Sequence, residues 1–274
     1  MHDRINHVLM TVVDTWMAAI PRAVPDPERL ARCRLVSHRG EHDGRLVREN
    51  TLRAFANASA RGVWGLECDI RWSADLQPVI HHDLDARRVF NRELEVGATA
   101  RADLARLLPE VPCLEDVIET FAGRNHLMLE LKSDTLGNDA RKRDALRSLL
   151  ASLTPVEDFH ILALEPELFS LVDFLPPAAC LPVALTNTAQ MSELALARGY
   201  AGVAGHYLLL NAAMQARHRD AGQQVGTGFP TSRNCLFREI NRDVDWIFTN
   251  HAVALQGVID AALAAARTRV TRGG

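Results

Sequence analysis

Three observations predict an α/β fold, a (β/α)8 TIM barrel carrying an extra N-terminal helix and a small rim insertion. Eight short apolar runs alternate with helical stretches along the chain, which is the pattern of a parallel sheet wrapped by helices. The 274 residues suit a closed barrel, which typically needs about 250. Residues able to do chemistry fall at the ends of the first three barrel strands, which in such a barrel is one rim.

The chain opens with Ile5, Val8, Leu9, Val12, Trp16 and Ile20 at helical spacing, an amphipathic helix stopped by Pro21 and the Pro25/Pro27 region. Residues 1–33 are read as this helix and a connector, and 34–274 as a single barrel domain. Strands are predicted at Arg34–Ser37, Gly65–Ile70, His126–Lys132, His160–Leu164, Ala179–Leu185, Gly202–Gly205, Gln224–Gly228 and Trp246–Thr249. Helices are predicted at Thr51–Arg61, Leu114–Phe121, Asp139–Leu153, Glu165–Phe174, Gln190–Arg198, Asn211–Ala221, Arg233–Asn241 and Ala252–Arg267. Val79–His82 does not fit as a ninth stave. The Ser73-Ala74-Asp75 turn folds Pro78–His81 back on Arg71–Trp72 as a short hairpin-like extension that carries His82 over the rim.

Composition narrows the partners. Hydrophobic residues at 47% and charged residues at 24% are the proportions of a chain able to bury a large core. With 31 Lys+Arg against 34 Asp+Glu the net charge is −3, so no electrostatic case for nucleic acid arises. No apolar run reaches the roughly 18 residues of a membrane helix, which argues against stable membrane insertion. The N-terminal helix lacks a Lys/Arg stripe for a membrane surface, and it fits equally as a cap on the barrel or as a homodimer contact. Cys33, Cys68, Cys113, Cys180 and Cys235 are odd in number and widely spaced, which fits a reducing, cytoplasmic setting.

Glu67 and Asp69 lie two apart on a strand, so they face the same way about 6.5 Å apart. Two carboxylates aimed into one mouth repel unless a positive charge sits between them. Glu130 on the next strand supplies a third, and a hard divalent cation, Mg²⁺ or Ca²⁺, takes such oxygen ligands. The competing reading pairs these acids with Arg71 or Lys132. His38 and His82 are the candidate general acid and base, because imidazole titrates near neutral pH. His81 should then point away. Arg39 offers a fork suited to phosphate oxygens, and Lys132 shares the face of Glu130. Asn50 reads as a helix N-cap, Glu49 as a group that reaches the metal or orients His38, and Asp83 as a partner for a histidine or a turn residue.

These residues resemble the glycerophosphodiester phosphodiesterase family. The likeness rests on His38-Arg39-Gly40, Glu49-Asn50-Thr51 with Ala54-Phe55, Gly65 to Asp69, Pro78-Val79-Ile80 leading to His82-Asp83, and Leu129 to Lys132. Weaker echoes run over Val111 to Val117 and Asp245 to Thr249. The resemblance implies a TIM barrel that hydrolyses a small-molecule glycerol phosphodiester to an alcohol and glycerol 3-phosphate with a divalent cation. It matches His38 and His82 to the catalytic histidines, Glu67, Asp69 and Glu130 to the metal carboxylates, and Arg39 and Lys132 to phosphate contacts. The chain departs from the family on the alcohol side: Gly226-Thr227-Gly228-Phe229-Pro230 stands where a tryptophan is common. Two alternatives accompany this reading. One is a phospholipase D-like lyase forming a cyclic phosphate from lysolipids, which an apolar groove involving Phe229 or Tyr207 would favour. The other is a non-catalytic barrel that binds phosphate ligands.

Overall fold

The computed structural model describes residues 15–134, 137 and 139–273. In chain order the elements are α1 (Pro27–Arg32), β1 (Leu35–His38), α2 (Leu52–Ser59), β2 (Gly65–Trp72), β3 (Pro78–Ile80), α3 (Arg87–Phe90), α4 (Arg101–Leu107), α5 (Leu114–Phe121), β4 (His126–Leu131) and α6 (Asp139–Leu150). They continue with β5 (Phe159–Ala163), β6 (Cys180–Ala184), α7 (Thr188–Arg198), β7 (Gly202–His206), α8 (Ala212–Asp220), β8 (Gln224–Gly228), α9 (Arg233–Asn241), β9 (Trp246–Thr249) and α10 (Ala252–Gly273).

Eight strands close a parallel barrel in the order β1, β2, β4, β5, β6, β7, β8, β9, with β1 pairing both β2 and β9. The predicted (β/α)8 architecture is therefore the observed one. Strand alternation divides its core in two. Leu66, Cys68, Ile70, Leu127, Leu129 and Leu131 face outward and join the helices in one large cluster. Val36, Met128, Leu162, Leu181, Ala204, Trp246 and Phe248 fill the interior of the barrel.

β2 is longer than its neighbours, and its overhang pairs antiparallel with β3, Ile70 opposite Ile80 and Trp72 opposite Pro78. The Ser73 turn closes this hairpin, with Leu76 N–H donating to the Ser73 carbonyl at 2.9 Å. The rim insertion beyond it contains α3 and α4, which hydrophobic periodicity did not resolve because each is under eight residues. The predicted helix over Glu165–Phe174 is instead a 3₁₀ helix, Pro166–Val172; the crossover is held between Pro166 and Pro176, which leaves little room for α-helical turns.

Most of the predicted N-terminal helix lies outside the described residues; within them, residues 15–19 are helical. α1 falls in the segment read as connector. Asp26 caps it by accepting from Arg29 N–H, and Pro27 stands at its first position. No helix among the described residues is long and apolar enough to cross a membrane.

Candidate active site

Strand register brings the predicted acids together. His38 lies opposite Glu67 across β1 and β2, and Asp69 lies opposite Glu130 across β2 and β4. All four point into the mouth, because residues of the same parity on adjacent staves share a face. One carboxylate oxygen from each of Glu67, Asp69 and Glu130 lies within 4.8 Å of the others, and all three residues are buried. His38, Arg39, Glu67, His82, Glu130 and Lys132 line one cavity of about 420 Å³ at the C-terminal end of the barrel, with Asp69 fully buried beneath them.

Two cations already sit against the trio. Lys132 Nζ donates to Glu130 Oε1 at 2.5 Å and lies 3.0 Å from Asp69 Oδ1. Arg39 Nε lies 3.1 Å from Asp69 Oδ2, and the Arg39 N–H donates to Glu67 Oε2 at 2.9 Å. Lys132 thus plays the counter-charge role weighed for it, whereas Arg71 does not. Its guanidinium donates instead to the carbonyls of His82 and Ser133 and holds the chain beneath His82.

Three carboxylates against two cations leave one negative charge over. Burial opposes ionisation of Asp69, but Lys132 and Arg39 override it and hold its pKa down at about 2. Burial and then the Asp69 and Glu130 charges push Glu67 well above the usual carboxylate range. Glu130 is also raised, by burial and Asp69 against the pull of Lys132. Glu67 Oε1 and Asp69 Oδ1 are buried without a hydrogen bond, the latter despite its nearness to Lys132. Buried oxygen donors without hydrogen bonds, whose joint ionisation is opposed by burial and mutual repulsion, are the environment that fits a hard divalent cation.

Each histidine has an orienting partner. His38 Nδ1 is 2.6 Å from Asn250 Oδ1, so the proton belongs on Nδ1 and Nε2 is left free, 3.8 Å from Glu67 Oε2. Burial and the Arg39 charge lower the His38 pKa to about 4. Phe229 packs against its ring with centroids 4.7 Å apart. His82 Nδ1 is 2.7 Å from Asp83 Oδ1. Burial lowers the His82 pKa too, against the raising effect of Asp69 and Asp83. His81 is buried and turned away, with Nε2 3.0 Å from the Asp85 carbonyl, which is the predicted orientation.

Sequence reasoning misjudged three residues around this centre. Asn50 is not the N-cap of α2; Thr51 is, accepting from Ala54 N–H. Asn50 has φ of 56°, a left-handed conformation that asparagine tolerates, and its Nδ2 donates to Asp69 Oδ2 at 2.7 Å. Glu49 turns neither to the trio nor to His38. It accepts from Arg39 at 3.0 Å and takes a bidentate pair of bonds from Arg88 at 2.7 and 2.8 Å. Burial opposes its ionisation, yet Arg88 and Arg39 bring its pKa down to about 2. Arg88 itself was missed. Its Nε also donates to Asp83 Oδ2 at 2.7 Å, so one guanidinium ties the partner of His82 to the partner of Arg39. Only the spacing of Arg88 after His82-Asp83 could have signalled this.

Fold and centre together define a class: an α/β barrel whose rim joins an acidic oxygen cluster to two imidazoles and two cations. The sequence profile of the Glycerophosphoryl diester phosphodiesterase family matches residues 38–161, the stretch that carries every one of these groups. Over that stretch the chain is similar to this family. It is 29% identical over 164 residues to glycerophosphodiester phosphodiesterase domain-containing protein 4 of Macaca fascicularis, covering 60% of this chain and 25% of that protein. The chain thus spans about a quarter of the length of this curated relative. Among solved structures, the fold matches an Oleispira antarctica phosphodiesterase in complex with the product sn-glycerol-3-phosphate, with a TM-score of 0.71 and 21% identity over 83% of this chain and 96% of that one. It also matches a glycerophosphodiester phosphodiesterase from Agrobacterium tumefaciens, with a TM-score of 0.67 and 22% identity over 82% of this chain and 99% of that one.

Proposed function

We propose that the chain hydrolyses glycerophosphodiesters to an alcohol and glycerol 3-phosphate, with Mg²⁺ or Ca²⁺ bound by Glu67, Asp69 and Glu130. The observation that carries this reading is the convergence of that carboxylate trio with His38 and His82 in a single cavity. A bound divalent cation supplies Lewis acidity and offsets charge on the phosphoryl oxygens. Lys132 and Arg39 hold the phosphate from the same side, as a point charge and a planar fork.

The histidines divide the proton transfers. His38, neutral at pH 7 with Nε2 bare, accepts the proton of the attacking hydroxyl, which belongs to water or to a neighbouring glycerol hydroxyl. His82, oriented at Nδ1 by Asp83, whose charge favours the imidazolium against the burial that lowers its pKa, donates from Nε2 to the departing alcohol oxygen. Arg88 and Glu49 keep Asp83 and Arg39 in place throughout. Attack by the glycerol hydroxyl would give the cyclic phosphate of the lyase reading. Of the two side chains linked to that reading, Phe229 lines the cavity, whereas Tyr207 is fully buried. The substrate is a small molecule, and the five scattered cysteines support a reducing, cytoplasmic setting.

The test is product analysis. Purified full-length protein with added Mg²⁺ or Ca²⁺ should release glycerol 3-phosphate from glycerophosphocholine, and a chelator should abolish the release until metal is restored. Activity that survives exhaustive chelation, or no product from any of a panel of diesters, refutes the assignment.

A further inference from the structure

The end of the barrel opposite the mouth holds a second cavity, of about 600 Å³, and its lining is basic. Arg34, Trp64, Gln223 and Asp245 stand immediately before β1, β2, β8 and β9, so they ring the N-terminal ends of the staves. Arg32 at the end of α1 and Arg219 in the last turn of α8 join them. Arg29 is also there but is fully engaged. It lies 3.1 Å from Asp243 and 3.0 Å from Asp26, and it donates to the Asn241 carbonyl at 2.7 Å. That takes up Asp243, which is 3.9 Å from Arg32. Among the described residues Arg34 and Arg219 form no ion pair; Arg34 rests instead over the Trp64 ring, 5.4 Å from its centroid. Asp245 acts on both from farther away, and its Oδ2 already accepts from the Val225 N–H at 2.8 Å.

We propose that this cavity is a binding site for a phosphate-bearing anion, gripped by Arg32, Arg34 and Arg219. Basic residues favour helix C-termini, which accounts for one arginine each on α1 and α8. It does not account for Arg34, which no helix carries, nor for the convergence of all three on one cavity. Like charges gathered there repel, and a bound anion removes the repulsion. Guanidinium forks match phosphate oxygens two bonds at a time, which suits a dianion or a diphosphate. Both faces of Trp64 are covered, one by Arg34 and one by His126 stacked at 4.5 Å, so the ring offers no platform for a flat ligand and the recognised part is the phosphate itself. The site lies at the other end of the barrel from Arg39 and Lys132 and does not depend on the hydrolase reading.

Titration calorimetry on the metal-free protein at low ionic strength tests this, with inorganic phosphate, pyrophosphate and ribose 5-phosphate as probes. At least one of them should bind, and Arg34→Ala and Arg219→Ala should each weaken that binding by about 10–100-fold. Both side chains are exposed, so the thermal melts of these variants should match that of the wild type. Lys132→Gln and Arg39→Gln, which alter the catalytic mouth, should leave the site in place. Preference for the two inorganic probes supports the proposal and assigns the anion as free phosphate or diphosphate; preference for ribose 5-phosphate supports it and assigns an organic phosphomonoester. No binding of any probe, binding unchanged in both alanine variants, or binding lost only in the mouth variants overturns it. Turnover of glycerophosphocholine, which tests the hydrolase reading separately, should be the same in Arg34→Ala and Arg219→Ala as in the wild type.

Discussion

Among single residues, the two histidines bear the most direct predictions. His38→Ala and His82→Ala should each lower kcat by about 10²–10⁴-fold, with circular dichroism unaltered because both sit on the rim of the barrel rather than in its packed core. A loss of turnover accompanied by loss of the folded spectrum would assign the residue to structure instead. Asn50 makes a subtler case. Its amide is aimed at Asp69 and not at the helix start, so Asn50→Ala should weaken divalent-cation affinity by about 10–100-fold, read by titration calorimetry. An unaltered affinity would return Asn50 to a purely conformational role. The misreading has a physical cause. Asn50 and Thr51 are both good capping residues, and only the left-handed backbone at Asn50 decides that Thr51 takes the cap.

Among elements, the rim insertion matters beyond its size. α3 places Arg88 so that it bonds both Glu49 and Asp83, which joins the loop after β1 to the loop after β3. Arg88→Ala removes three charge-assisted bonds. It should lower kcat more than it raises KM and shift the pH profile of kcat, because Asp83 would no longer be held against His82. A change confined to KM would locate Arg88 in substrate binding. The eight staves were legible in the sequence, since each is an apolar run bounded by turn residues, and the strand positions of Glu67, Asp69 and Glu130 followed directly. The pairing of Glu49 with Arg88 was not legible. It spans 39 residues and depends on how a four-residue helix is aimed, which no periodicity encodes.

For the molecule as a whole, part of the acid sensitivity should arise at the opposite end of the barrel from His38, whose own pKa is lowered to about 4. His126 and His160 point into the barrel near its N-terminal end, His126 Nε2 2.7 Å from His160 Nδ1, with Trp64 stacked on His126 and Trp246 edge-on to His160. Burial lowers their pKa values to about 4 for His126 and about 3 for His160. In an unfolded chain each titrates near 6.5. The folded protein therefore binds fewer protons than the unfolded one below that pH. Stability is complete above about 6.5 and falls as the pH drops towards 4 and then 3. Urea midpoints measured from pH 7 to pH 4 should show this decline, and His126→Asn should lessen it. An equally steep decline in both proteins would assign the acid sensitivity to other groups.

The hairpin formed by β2 and β3 gives His38 and His82 different supports. His38 belongs to the ring itself and moves in step with the acids beside it. His82 hangs on a bracket bolted to the outside, two residues past β3 and pinned from below by Arg71. Insertions or deletions in that bracket can re-aim one imidazole while leaving the carboxylate trio where it is. Under the proposed mechanism, a lineage built on this plan can retune how the departing group receives its proton without rebuilding the rest of the centre.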